Sequence, residues 1–213
     1  MATHSSSGRA SLYCCECHPI CFILAVNDSK PFQIDFSNRL VDDTGNDCLL
    51  SCDGVDYRIA ISYLKEFHSF KFKKSALRYE VALCIKTGWI CHWYGPFEPG
   101  MYNDEMIFKM GLALCLEDGE RVETDRGYRG SAPSKVKCPG HLCTDPEQEK
   151  MAARVRSRQE TINKRMKQWN ILVAPYRHDI HEHQNVFAAV AVITQLSIER
   201  EPLFSVEYDD CLN

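Results

Sequence analysis

The 213-residue chain has no apolar run long enough to cross a bilayer. Its best, Val186 to Ile193, gives way to Thr194 and Gln195 and reads as a buried helix. Met1 to Ala10 contain one arginine and no apolar centre, so they do not make a secretory signal. Twelve cysteines are present, but none has the paired spacing of a common zinc finger or ribbon. Two clusters invite the question: Cys14, Cys15, Cys17, His18 and Cys21 near the N-terminus, and Cys138, His141 and Cys143 in a Pro/Gly loop. Unpaired or buried thiols are the favoured reading of both. Cys48, Cys52, Cys84, Cys91 and Cys115 lie in apolar patterns, where reduced cysteine packs as a small hydrophobe in a reducing compartment. Nor is there an overall basic excess, since the net charge is −4. The expectation is an intracellular protein without membrane contact.

An apolar content of 45% can fill one sizeable core. Residues 1–33 lack periodicity and read as a disordered or non-native leader, residues 34–208 as one domain and 209–213 as a tail. Cys48 to Cys52 is a short apolar strand ended by Asp53-Gly54. Tyr79, Val81, Leu83 and Ile85 alternate ahead of Lys86-Thr87-Gly88 and the run Trp89 to Tyr94, which is a hairpin signal ended by Gly95 and Pro96. Asn103 or Asp104 can cap a helix carrying Met106, Ile107, Met110, Leu114 and Leu116. Arg121 to Thr124 is a strand delivering Asp125. After a loop from Gly130 to Thr144, Asp145 and Pro146 start a helix running to about Trp169, with Val155, Ile162, Met166 and Trp169 as its inward stripe.

Three acids stand out: Asp53 before Gly54, Asp125 in Thr124-Asp125-Arg126-Gly127-Tyr128, and Glu160 thirty-five positions later inside the long helix. Two strand ends and a helix can bring them together as metal ligands. Phosphodiester cleavage needs such a set, because two divalent cations stabilise both the attacking and the leaving oxygen. Spacing alone is weak evidence, and solvated surface carboxylates are the plain alternative.

Five segments carry a resemblance: Asp53 to Ile59; Gly95-Pro96-Phe97 with Asn103-Asp104; Gly119 to Gly130; Arg158 to Trp169; and Arg177-His178. In this order they resemble the catalytic domain of PIF/Harbinger-like DDE superfamily endonucleases, over roughly residues 35–208. The resemblance implies an α/β, RNase H-like mixed sheet flanked by helices. It implies that Asp53, Asp125 and Glu160 hold two Mg²⁺ or Mn²⁺ ions for nicking and strand transfer. It also implies a nuclear protein whose partners are transposon ends, target DNA and a separate Myb-like DNA-binding protein, and it is compatible with an oligomer. Family members carry a helix-turn-helix ahead of this domain. Residues 1–33 show no such pattern, so a truncated copy or a foreign leader is expected. The rival class is a domesticated or decayed copy that binds DNA or protein without cleaving.

Residues 135–178 hold ten Lys or Arg against four acids. A basic stripe of this kind suits phosphate contacts, its alternative being a solvated ion-pair face. Arg156, Asn163, Lys164 and Lys167 share the helix face of Glu160 and are the expected DNA contacts. His178, Asp179, His181 and His183 read as capping and packing, and Asp104 as a helix cap that could supplement the triad.

Overall fold

Strand β1 (Cys48–Arg58) sends alternate side chains to opposite faces. Leu50 and Cys52 enter one core cluster, and Val55 and Tyr57 the other. A computed structural model describes residues 34–40, 47–140 and 146–207. The leader 1–33, the tail, the N-terminal cysteine cluster, and His141 and Cys143 lie outside the described residues.

β1 is the central strand. It pairs antiparallel with β3 (Lys74–Cys84) and parallel with β5 (Arg121–Glu123), and β5 pairs parallel with β6 (Val136–Lys137). β2 (His68–Ser69) and β4 (Ile90–Phe97) share the outer edge of β3. On one face, α1 (Asp104–Met110) and α2 (Leu112–Cys115) set Phe108 and Leu112 against Leu50, Cys52 and Ala82. On the other, α3 (Pro146–Met166) and α5 (His183–Arg200) set Ile162, Met166, Phe187 and Val190 against Tyr57, Tyr79 and Val81. Leu172 of α4 (Asn170–Val173) closes that core. The mixed sheet flanked by helices is consistent with the RNase H-like fold that the resemblance implies.

Several elements differ from the sequence reading. β1 does not end at Asp53-Gly54. It continues to Arg58 because Val55, Tyr57 and Ile59 keep the period-two alternation on the α3 face. β4 likewise runs through Gly95 and Pro96 to Phe97. The helix after Asn103 breaks at Gly111, whose missing side chain makes room for the Tyr94 ring. Its inward residues are Ile107, Phe108 and Leu112, while Met106, Met110 and Leu114 are exposed. β6 forms inside the stretch read as a loop. α3 stops at Met166, and Trp169, expected in the core, is 42% exposed ahead of α4.

The histidine segment packs and caps as expected. Asp179 accepts from the His181 amide at 3.0 Å, and His183 is fully buried with Nδ1 2.7 Å from the Tyr79 hydroxyl. Burial holds the His183 imidazole down at about 4. Cys52, Cys84, Cys91 and Cys138 are buried thiols. No helix among the described residues is long and apolar enough to cross a membrane.

Candidate active site

β5 is shorter than β1, and that difference opens the site. Ser51 is level with Glu123, where β5 stops, and carrying that register two residues further sets Asp53 beside Asp125. Asp125 stands just past the carboxyl end of β5, and Asp53 lies beside it on β1, which runs on to Arg58, so the end of β5 leaves an open place next to Asp53. Asp125 turns the chain into a short 3-10 helix, Arg126–Ser131, with its Oδ1 accepting from the Gly127 amide at 2.7 Å.

Asp104 joins them from the α1 face. Asn103, not Asp104, is the helix cap, accepting from the Met106 amide at 2.8 Å. Asp104 is therefore free of the capping role, and its carboxylate fills the space where a Gly54 side chain would be. A Cβ on Gly127 would lie 2.9 Å from Asp125 Oδ1 and 3.5 Å from Asp104 Oδ2, so both carboxylates border that glycine. Gly54 is thus a close-approach glycine inside a strand. Gly54→Ala should displace Asp104 and cost about 1–3 kcal/mol by overpacking, read as a lower thermal midpoint. An unchanged midpoint would mean that Asp104 swings away freely.

The electrostatics fit a cation. Burial and the neighbouring charges of Asp104 and Asp125 raise the Asp53 carboxyl to about 6, with Lys71 opposing. Asp104 is also raised, mainly by burial, with Arg78 opposing. Arg78 Nη1 lies 3.2 Å from Asp104 Oδ1, yet that buried oxygen receives no hydrogen bond of good geometry. Arg78 is committed chiefly to Asp56, with Nε at 2.7 Å from Oδ1. Mutually repelling carboxylates with an undonated buried oxygen suit a hard divalent ion bound through oxygen. Among the described residues, no three acidic, thiol or imidazole groups already stand as a metal cage.

α3 faces this site through defined contacts. Gln159 Nε2 donates to the Ser51 carbonyl at 2.7 Å, and Asn163 Nδ2 to Asp53 Oδ2 at 3.1 Å. Arg156 binds Glu123, which is 1% exposed, and reaches Glu149 at 2.8 Å. Arg156 and Asn163 both sit about 40–60° around the helix from Glu160, on its strand-facing side. Glu160 therefore flanks the crevice between these two contacts. It is exposed and makes no ion pair or hydrogen bond with the described residues. The structure brings Asp53, Asp125 and Asp104 together and leaves Glu160 on the rim.

Lys137 and Arg158 of the basic stripe are buried and several of its other cations are held by protein partners, while Lys150, Arg154, Lys164 and Arg177 are exposed. Arg158 is 2% exposed and donates to the Ile85 carbonyl, Arg154 and Arg165 hold the Ser205 and Glu201 carbonyls, and Lys137 is 3% exposed. Lys167 lies over the rings of Tyr57 and Phe72, 5.5 and 5.6 Å from their centroids. Of the expected DNA contacts, Lys164 alone is an exposed cation on that face.

Residues 52–195 match the family described as DDE superfamily endonuclease, a span that includes Asp53, Asp104, Asp125 and Glu160. No curated protein and no solved structure matches the chain. With well over half of its length matched, and with Asp53 and Asp125 side by side where β5 ends, the chain belongs to the DDE superfamily endonucleases.

Proposed function

We propose that this chain is a metal-dependent DNA endonuclease and strand transferase of the PIF/Harbinger type, using Asp53, Asp125 and Glu160 as ligands for two Mg²⁺ or Mn²⁺ ions. The observation that carries this reading is the adjacency of Asp53 and Asp125 at the crevice, with Glu160 on the flanking helix. When bound, such ions stabilise the attacking and leaving oxygens of an in-line phosphodiester displacement. Asn163 orients Asp53 through its 3.1 Å hydrogen bond, and the Gly127 amide fixes one Asp125 oxygen. Asp104 adds negative charge beside the pair, and Arg78 restrains it. Transposon ends and target DNA are the substrates, a Myb-like protein supplies end recognition, and the nucleus is the site of action.

Titration calorimetry with Mn²⁺ tests the site. Wild type should bind Mn²⁺, and Asp125→Asn should weaken binding at least tenfold. Equal affinity in the two proteins would remove Asp125 from the ligand set.

Lys164 and Arg156 should separate by readout. Lys164→Ala should lower affinity for unrelated duplexes about equally and flatten the salt dependence by about 0.9 in slope, the value of one phosphate contact. Binding titrations at several salt concentrations measure this, and an unchanged slope would place the duplex elsewhere.

A further inference from the structure

A further group of exposed cations lies in the segment before β2, in the β2–β3 turn and at the start of β3. Residues 63–74 contain four lysines against one acid, Glu66, in a chain of net charge −4. Lys65, Lys71, Lys73 and Lys74 are all exposed, and among the described residues none of them makes an ion pair.

Aromatic rings alternate with these cations. Tyr63 is 66% and Phe70 69% exposed, far more than large rings usually are without a partner. Each packs edge-on against His68, with centroids 5.5 and 5.2 Å away. The β2–β3 hairpin, which carries Phe70 and the His68 ring that Tyr63 packs against, is pinned to β1. Ser69 Oγ donates to Asp56 Oδ2 at 2.6 Å and accepts from the Phe72 amide at 3.2 Å, while Lys73 holds a left-handed φ of 55°. A non-glycine residue kept there costs energy, and such strain gathers at functional positions.

The hairpin borders the carboxylate site. Asp56 is three residues beyond Asp53 on β1, about 10 Å along the strand. An open cleft of about 370 Å³, lined by Asp56, Arg58, Phe72, Lys167, Leu172 and Val173, runs beside it.

Building on the nuclease reading above, we infer that this hairpin is a stacking platform for an unpaired DNA strand beside the scissile phosphate, with Tyr63 and Phe70 taking bases and Lys71, Lys73 and Lys74 taking phosphates. Rigid exposed rings interleaved with lysines are what sequence-tolerant single-strand binding uses, because every base offers a π-face and every linkage a charge. The platform would hold the strand opened at the cleavage point, and Phe72 with Lys167 would border its path into the cleft.

Anisotropy titrations of labelled oligo-dT and of a blunt duplex, in EDTA, test the surface apart from metal and catalysis. The double variant Tyr63→Ala, Phe70→Ala should weaken oligo-dT binding about 10- to 100-fold, near the lower range for two lost stacks, and duplex binding less than about twofold. Phe70→Trp should retain single-strand binding. Lys71→Ala with Lys73→Ala should lower the single-strand salt slope by about 1.4, at about 0.7 per contact. Both rings are exposed, so thermal midpoints should match wild type. Unchanged oligo-dT affinity in the aromatic variant, with wild type still nicking plasmid in Mg²⁺, would overturn the platform and leave the nuclease reading standing. A wild type that neither binds DNA nor nicks it would overturn both.

Discussion

Asp53→Asn should abolish plasmid nicking, by at least about a thousandfold, and at the same time make the metal-free fold more stable. Loss of activity follows if Asp53 holds metal beside Asp125. The gain in stability follows from charge. Asp53 titrates at about 6 when folded and near 3.8 when unfolded, so its ionised form is penalised in the native state. Below 3.8 both states are protonated and the penalty is absent; it grows as pH rises toward 6 and is complete above it. Two units correspond to about 3 kcal/mol, reduced by partial solvent access to about 2 kcal/mol. Denaturation in EDTA should show the variant about 2 kcal/mol more stable than wild type at pH 8, with most of the difference gone at pH 4. A destabilised variant at pH 8 would mean that Asp53 serves the fold rather than the site.

Arg156→Met should have the opposite signature. Glu123 is almost completely buried, and Arg156 ties it to Glu149 across the β5–α3 contact. Removing one partner of a buried ion pair costs about 3–5 kcal/mol, and the remaining contacts of Glu123 reduce this to about 3. For a domain of this size that is a fall of about 6–12 °C in thermal midpoint. The salt dependence of DNA binding should stay as in wild type. A stable variant with a flattened salt slope would return Arg156 to the DNA-contacting set.

Much of the frame was legible in the sequence because it rests on short-range patterns. The β3–β4 hairpin follows from alternation around Lys86-Thr87-Gly88, and the start of α3 from Asp145-Pro146. Asp53 stood out in the sequence, but its setting was misread. Aspartate before glycine looks like a turn, whereas Gly54 is small because Asp104 fills the space beside it, a relation across fifty residues that no local pattern reveals. Asp104 itself was masked by its neighbour, since either Asn103 or Asp104 can cap a helix and only the fold shows which one does. The basic stripe was only partly legible for a related reason: sequence counts charges but does not tell a buried arginine bonded to a carbonyl from a solvated one. Tyr63 and Phe70 carried no signal as a surface, because a ring near lysines reads as core until its exposure is known.

Nicking of supercoiled plasmid, scored with and without Mg²⁺ or Mn²⁺ for wild type and Glu160→Gln, bears most directly on the central claim. Glu160 is the proposed ligand that stands apart from the aspartates, so its dependence tests whether the helix completes the site. The account predicts that wild type nicks only with metal and that Glu160→Gln loses activity at least about a hundredfold while folding normally. Nicking without metal, or full activity in Glu160→Gln, would contradict the triad; DNA binding by wild type with no nicking under any metal would instead establish a copy that has kept the fold and lost the chemistry.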